Sequence, residues 1–371
     1  MNANQPVMLY IHIPFCRKKC DYCDFLSFSG KDSCFLPYLA ALERDIRKYR
    51  GLTVSSVFIG GGTPSLMPQG FILKLMNTVR ECFTLLPDAE ITLEANPGTV
   101  NERLLGEYLI AGINRLSFGL QSADDVELSA VGRIHTYAEF LESYELARRA
   151  GFKNINVDIM LGLPGQTMIS LKQTINKVCF LRPEHISAYM LILEENTPLY
   201  KRAEHLSILP DEDKQAEMYE LAVGLLEKKG YHQYEISNFS REGFECRHNT
   251  GYWKRQPYLG IGLGASSLVD DKRYRVTTDL PSYLEQLSYE SEEELSFEDV
   301  RNEIIMLSMR LKEGLSYLSV RSSYGEGFAN ILLAKLNKYK EMGLVENHYD
   351  RFYFTVKGYL VSNTILADLT E

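Results

Sequence analysis

Six short apolar runs alternate with longer segments of helical period through the first half of the chain, and no other feature narrows its fold as much. The runs fall at residues 9–13, 54–59, 90–95, 115–119, 154–160 and 185–191. Between them, stretches such as 35–49, 70–82 and 137–150 carry apolar residues at helical spacing, and glycine or proline marks many of the joints. Strand and helix in alternation is the pattern of βα units, whose strands run parallel in one sheet with the helices packed outside.

Beyond Pro210 a helix is expected at 212–229, then an apolar run at 231–236 and an irregular, glycine-rich stretch to about residue 267. After the acidic run 292–294 the spacing predicts helices at 298–311, 316–324 and 331–342, a hairpin across 344–355 and a last helix. Three helices and a two-stranded wing make a winged-helix-like module. The expected division is a barrel over 1–236, a connecting region over 237–297 and the α+β module over 298–371. Such modules often bind DNA, yet this one carries nine Lys and Arg against ten Asp and Glu. It therefore lacks the basic footprint of a nucleic-acid binder, and a packing or lid role is expected instead.

A net charge of -9 likewise disfavours nucleic acid and anionic membranes as partners. No apolar run approaches the roughly 20 residues that span a bilayer, so no integral membrane segment is expected. Residues 1–8 are too short and polar for a signal peptide. A cytoplasmic protein is the expectation, and a reducing compartment suits the seven cysteines, three of them within eight positions.

Those three form Cys16-x-x-x-Cys20-x-x-Cys23, directly after the first expected strand. In a parallel barrel the C-terminal strand ends share one face, where active sites are built. The other unusual residues gather on that edge too. Gly60-Gly61-Gly62-Thr63-Pro64 follows strand two, Glu94 ends strand three, Gln121 follows strand four and Asp158 lies near the end of strand five. A cubic iron-sulfur cluster has four irons, so three thiolates leave one free to take a ligand that is not protein. Arg17, Lys18 and Lys19 favour the thiolate form. Zinc held by the three cysteines and His12 is the competing reading. The glycine run is either a tight turn or a backbone cradle open to a ligand, and Glu94 is either a surface carboxylate or a buried one waiting for a cation.

The cysteine spacing resembles that of the radical S-adenosylmethionine (SAM) superfamily. The similarity extends to Leu9-Tyr10-Ile11-His12-Ile13-Pro14-Phe15-Cys16, residues 60–65, Leu116-Ser117-Phe118-Gly119-Leu120-Gln121-Ser122 and the segment from Asp158 to Thr167. Together these look like the group containing oxygen-independent coproporphyrinogen III oxidase and the HemW-type heme chaperones, over nearly the whole chain. The resemblance implies a partial (β/α)6 TIM-like barrel with a C-terminal winged-helix-like domain. It further implies a 4Fe-4S cluster on Cys16, Cys20 and Cys23, with SAM chelating the fourth iron. Tyr10, Tyr22, Gly61, Gly62, Thr63, Glu94, Gln121, Arg133 and Asp158 would bind SAM or a second ligand, although Arg133 could equally be a solvated loop residue.

Within the group, the oxidase pattern has a cysteine where this chain has Phe25, and an N-terminal extension where this chain has only fifteen residues before Cys16. His248-Asn249-Thr250-Gly251-Tyr252-Trp253 matches the HNxxYW motif of the heme chaperones. The resemblance thus implies heme binding through His248, Asn249, Tyr252 and Trp253, with His248 the axial ligand and Cys246 its alternative. Taken alone, His248 reads as a hydrogen-bonded turn residue. The expected function is a heme chaperone that passes heme to an acceptor protein, with no catalytic residue assigned. The alternatives are radical decarboxylation of coproporphyrinogen III, and a relic barrel whose winged helix docks proteins.

Overall fold

The computed structural model describes residues 5–203, 208–286 and 288–371. The first four of the residues weighed above as a leader lie outside that range. All six expected strands are present: β1 (Val7–Ile13), β2 (Thr53–Gly61), β3 (Thr84–Ala95), β4 (Arg115–Gln121), β5 (Ile155–Leu161) and β6 (His185–Met190). They lie side by side in chain order, each parallel to the next.

The helices between them pack apolar faces against the sheet, as Phe35–Ile46 does with Tyr38, Leu39, Leu42 and Ile46. Capping boxes at Thr136/Glu139 and Thr167/Ser170 start two of them. With helices outside and the barrel interior within, the strands are nearly continuously buried. Leu9, Ile11 and Ile13 of β1 meet the helices, while alternate residues such as Phe58, Glu94, Ser117, Asn156 and Asp158 line the barrel interior.

The stretch expected to be irregular is ordered, and it extends the same sheet. β7 (His232–Gln233) and β8 (Asn238–Ser240) add to the β6 edge. On the opposite edge, β9 (Tyr258–Ile261) pairs parallel with β1, and β10 (Ser266–Val269), β11 (Lys272–Val276) and β12 (Tyr289–Glu294) follow antiparallel. Glycines hid β9 from the sequence reading. At Gly260 a Cβ would stand 2.2 Å from the Ser266 carbonyl oxygen, so the residue is demanded by packing. The acidic run expected between domains is strand β12, whose alternation is one of charge. Its Glu293 and Glu294 face Arg273 and Lys272 at 3.5 and 3.4 Å, an edge kept charged.

The C-terminal segment 297–371 follows the expected order. Helices Phe297–Met309, Tyr317–Tyr324 and Glu326–Glu341 precede the hairpin, and a three-stranded sheet joins β13 (Leu315–Ser316), β15 (Arg351–Phe354) and β14 (Val345–His348). This module is fastened to the barrel. Lys312 N donates to Tyr234 O at 2.9 Å, and Glu303 receives Arg255 Nε at 2.8 Å and the Arg273 guanidinium. Among the described residues no helix is long and apolar enough to cross a membrane.

Glu303→Ala should lower stability by about 1–2 kcal/mol, because the sheltered Arg255 guanidinium loses a charged acceptor and the more exposed Arg273 adds little. Denaturant unfolding and limited proteolysis of the C-terminal module test this; an unchanged midpoint with an unchanged digestion pattern would mean that the pairs do not fasten it.

Candidate functional site

The cysteine loop is clamped from three sides. Cys16 N donates to Phe28 O at 2.9 Å, Asp21 N to Val131 O at 3.1 Å, and Leu199 N to Asp21 O at 2.8 Å. Cys16, Cys20 and Cys23 are free thiols, each partly exposed. They share a cleft of about 670 Å³ with Tyr22, residues 61–63, Glu94, Gln121, Arg133 and Asp158. All the expected cluster and SAM residues therefore meet there except Tyr10. That tyrosine points into the barrel at one remove, its hydroxyl 2.9 Å from His12 Nδ1 and its ring 6.3 Å from Phe58.

Hydrogen-bond donors already aim at the sulfurs. Thr63 Oγ1 donates to Cys16 Sγ at 3.5 Å and Arg133 Nη1 to Cys20 Sγ at 3.4 Å. Asn96 ties the two together, donating to Thr63 Oγ1 at 2.8 Å and accepting from Arg133 Nη2 at 3.2 Å. Arg133 also donates to the Gly119 carbonyl, so it is a fixed residue of the site and not a solvated one. Donors of this kind tune an iron-sulfur cluster. None of the other four cysteines lines the cleft, and the donor set therefore fits a cluster with one iron left to a non-protein ligand.

Zinc loses its fourth ligand. His12 is buried with both nitrogens engaged, Nδ1 with Tyr10 and Nε2 with Leu26 O at 2.8 Å, and burial lowers its pKa.

The glycine run is less open to a ligand than expected. Gly61 N donates to Glu94 Oε2 at 2.9 Å, Gly62 N to Ile13 O at 2.8 Å and Thr63 N to Phe15 O at 2.8 Å. Its glycines are needed for packing: a Cβ on Gly61 would stand 2.4 Å from the His12 ring, and one on Gly62 would stand 2.7 Å from Phe15 O. Glu94 is not a surface carboxylate. Burial, with the charge of Asp158 adding to it, lifts its pKa to about 7. Burial also raises Asp158, whose Oδ1 accepts from Asn156 Nδ2 at 2.7 Å. Two interior acids close together without an ion pair suit a cationic ligand.

The HNxxYW segment lies at the other end of the barrel, as helix Arg247–Trp253. Glu90 of β3 caps its start, accepting from Arg247 N and His248 N at 3.3 and 3.2 Å. His248 is not poised as an axial ligand. Its ring is buried, Nδ1 lies 2.9 Å from Ser56 Oγ and Nε2 3.0 Å from Tyr252 Oη, and burial pushes its pKa down to about 3. Nor is Cys246 a ready substitute, since its buried thiol donates to Glu90 at 3.4 Å with a pKa pushed up to about 12 by burial. Trp253 packs under the Arg310 guanidinium, 5.7 Å from its ring centre. Asn249 alone of the four expected heme residues reaches the interior. It lines a cavity of about 810 Å³ that runs up past Arg115, Asn156 and Phe58 to Tyr22 and Phe25 at the mouth.

Asn96, Arg115 and Asn156 are site residues that the sequence reading missed. Period two would have found Arg115, which shares the inward face of β4 with Ser117, and Asn156, which shares that of β5 with Asp158.

The family model described as the Radical SAM superfamily matches residues 10–178, and that of the HemN C-terminal domain matches 295–361. The chain is 35% identical over 369 residues to the heme chaperone HemW of Bacillus subtilis (strain 168), covering 96% of this chain and 97% of that one. It is 36% identical over 371 residues to the heme chaperone HemW of Escherichia coli (strain K12), covering 97% of each. Among solved structures it is similar to coproporphyrinogen III oxidase (HemN) from Escherichia coli, a radical SAM enzyme, with TM-score 0.87 and 25% identity over 99% of this chain and 90% of that one.

Two predictions follow from this geometry. Gly62→Ala should strip the reconstituted protein of most of its iron and sulfide, because the Cβ meets backbone on the cysteine loop; full iron content in that variant would show that the packing is dispensable. Between pH about 3 and 6.5 the unfolded chain binds a proton at His248 that the folded one refuses, so stability falls on acidification through that window. His248→Gln should flatten the fall by up to one proton, about 1.4 kcal/mol per pH unit. Superimposable pH profiles for the two proteins would rule out a neutral buried ring.

Proposed function

The chain belongs to the radical SAM superfamily and, within it, to the HemW family of heme chaperones, and from that premise we propose that it binds heme and passes it to an acceptor protein while carrying a SAM-ligated 4Fe-4S cluster. Cys16, Cys20 and Cys23 would hold the cluster. Tyr22, residues 61–63, Glu94, Gln121, Arg133 and Asp158 would surround SAM, with Tyr10 behind them. Cluster and SAM together would supply one-electron chemistry. The protein's own part is to seat both, with Thr63 and Arg133 donating to the thiolates and Glu94 and Asp158 offering negative charge to a cationic cofactor.

One observation supports this reading above the others. The HNxxYW helix floors the same barrel whose mouth carries the cysteines, and a single cavity joins Tyr22 and Phe25 above to Asn249 below. Its walls combine the aromatic and apolar side chains of Phe58, Met160 and Tyr189 with a few polar groups, the composition of an organic-ligand site. Asn249 would meet heme directly. Tyr252 and Trp253 would support it, and His248 would ligate iron only after Tyr252 released its Nε2.

Likeness to the oxidase fold favours a second reading, oxidative decarboxylation of coproporphyrinogen III. Against it, Phe25 stands where the oxidase pattern has a cysteine. The expected result is a Soret band on adding heme to the anaerobically reconstituted protein, weakened several-fold in His248→Ala, with transfer of the heme to an apo-acceptor. Absence of a Soret band, together with conversion of coproporphyrinogen to protoporphyrinogen under SAM and reductant, would replace the first reading by the second.

A further inference from the structure

The barrel floor holds a buried cation with little to bind. Arg115, the first residue of β4, is 1% exposed and lines the interior cavity. Among the described residues its side chain makes one hydrogen bond, from Nη1 to Thr92 Oγ1 at a long 3.5 Å, and its Nε is buried with no acceptor. Among the described residues no Asp or Glu oxygen lies within 4.0 Å of it. A guanidinium so placed is costly unless something accepts its N–H groups.

Arg133 Nε and Arg255 Nη2 are likewise buried without an acceptor, but the other nitrogens of these arginines, and those of Arg148, have closer partners than the Thr92 hydroxyl gives Arg115. Arg133 bonds Cys20, Asn96 and Gly119, Arg148 pairs with Glu184 at 2.8 Å, and Arg255 holds Glu303 and Asp271. The acids nearest to Arg115 are turned to other tasks. Glu90 caps the helix Arg247–Trp253, and Asp158 accepts from Asn156. They act on Arg115 only from a distance, keeping it charged without occupying its fork.

Building on the heme reading above, we propose that Arg115 is the carboxylate receptor of this cavity, taking a propionate-type carboxylate of a bound tetrapyrrole. Arg115 lies four residues below Gly119, hence about 13 Å down from the upper rim. Ser117, Asn156, Ser187 and Asn249 supply polar groups around the same level or just above it, and Phe58, Met160 and Tyr189 wall the space for an apolar body. Glu94 and Asp158, higher in the barrel, offer a carboxylate no cation. Together they fix the ligand's polarity: acid end down on the fork, body toward the mouth. The planar guanidinium suits two carboxylate oxygens at once.

Metal-free mesoporphyrin and its dimethyl ester separate this role from iron ligation, since the ester keeps the ring and loses the negative charge. The reconstituted wild-type protein should bind the free acid at least about tenfold more tightly than the ester, read by porphyrin fluorescence. In Arg115→Met the acid should weaken by about 30-fold or more, and the ester should change by no more than about twofold. Arg115→Lys should fall between, keeping charge but not the fork. Circular dichroism and iron content report folding, and the wild-type comparison of acid with ester does not depend on any variant. Equal affinity of the wild type for acid and ester overturns the receptor while leaving heme binding intact. Equal weakening of both ligands in a folded Arg115→Met reassigns the residue to packing. Failure of the wild type to bind either metal-free porphyrin overturns this inference, and only a missing Soret band with heme itself overturns the heme reading on which it rests.

Discussion

The upper face of the barrel depends on one contact of backbone with backbone. Where β1 and β2 run out, residues 61–63 keep following the chain from Ile13 to Cys16, with Gly62 N on Ile13 O and Thr63 N on Phe15 O. Side chains are excluded from that seam, as the close approaches at Gly61 and Gly62 require. The cysteine loop therefore starts from a fixed frame and not from a free strand end. Thr63 is delivered onto Cys16 by the same seam, and Asn96, at the end of β3, is within reach to tie Thr63 to Arg133 and so to Cys20.

Below that face the pleat of each strand decides what the interior contains. Residues pointing outward are apolar and meet the helices, whereas the inward set mixes aromatic and apolar groups with polar and charged ones, among them Glu94, Asp158 and Arg115 on the walls of one cavity. Burial makes both acids reluctant to ionise, Glu94 up to about 7. A sulfonium or ammonium placed between them would draw those protons off, so binding a cation and releasing protons are linked there. The same low dielectric lets a single arginine at the floor dictate how an anion enters. Opposite charges at opposite ends of one cavity give it a direction, something a uniformly apolar barrel would lack.

The alternation of strand and helix made the barrel legible from sequence, because each buried parallel strand reads as a short, mostly apolar run between segments of helical period. Cys16, Cys20, Cys23, Glu94 and Asp158 were legible for a related reason: strand ends share an edge, so chemistry that recurs at strand ends must converge. Strands β9 to β12 were not legible. Their code lies in glycines that permit close approach, as at Gly260, and in Glu and Lys or Arg facing one another across β11 and β12, neither of which is an apolar pattern. The surroundings of His248 were not legible for a different reason. A histidine in a short motif looks available to iron, and only the fold reveals that Ser56 and Tyr252, far apart and near in the chain, already hold both of its nitrogens.

That same helix explains why the C-terminal module need not read nucleic acid to matter. Arg247–Trp253 is held on one side by the Glu90 cap and the His248 bonds to β2, and on the other by Arg310 over Trp253 and by Lys254 on Glu313 at 2.7 Å. Next to it, Glu235 bridges to Leu311 across the seam, its carboxyl fully buried and lifted by burial to about 7. Barrel floor and module are thus parts of one packed interface. The residues of this floor segment that face Arg310 and Glu313 are continuous with Asn249, which faces the interior, so the floor of the cavity is set by the barrel and the module together.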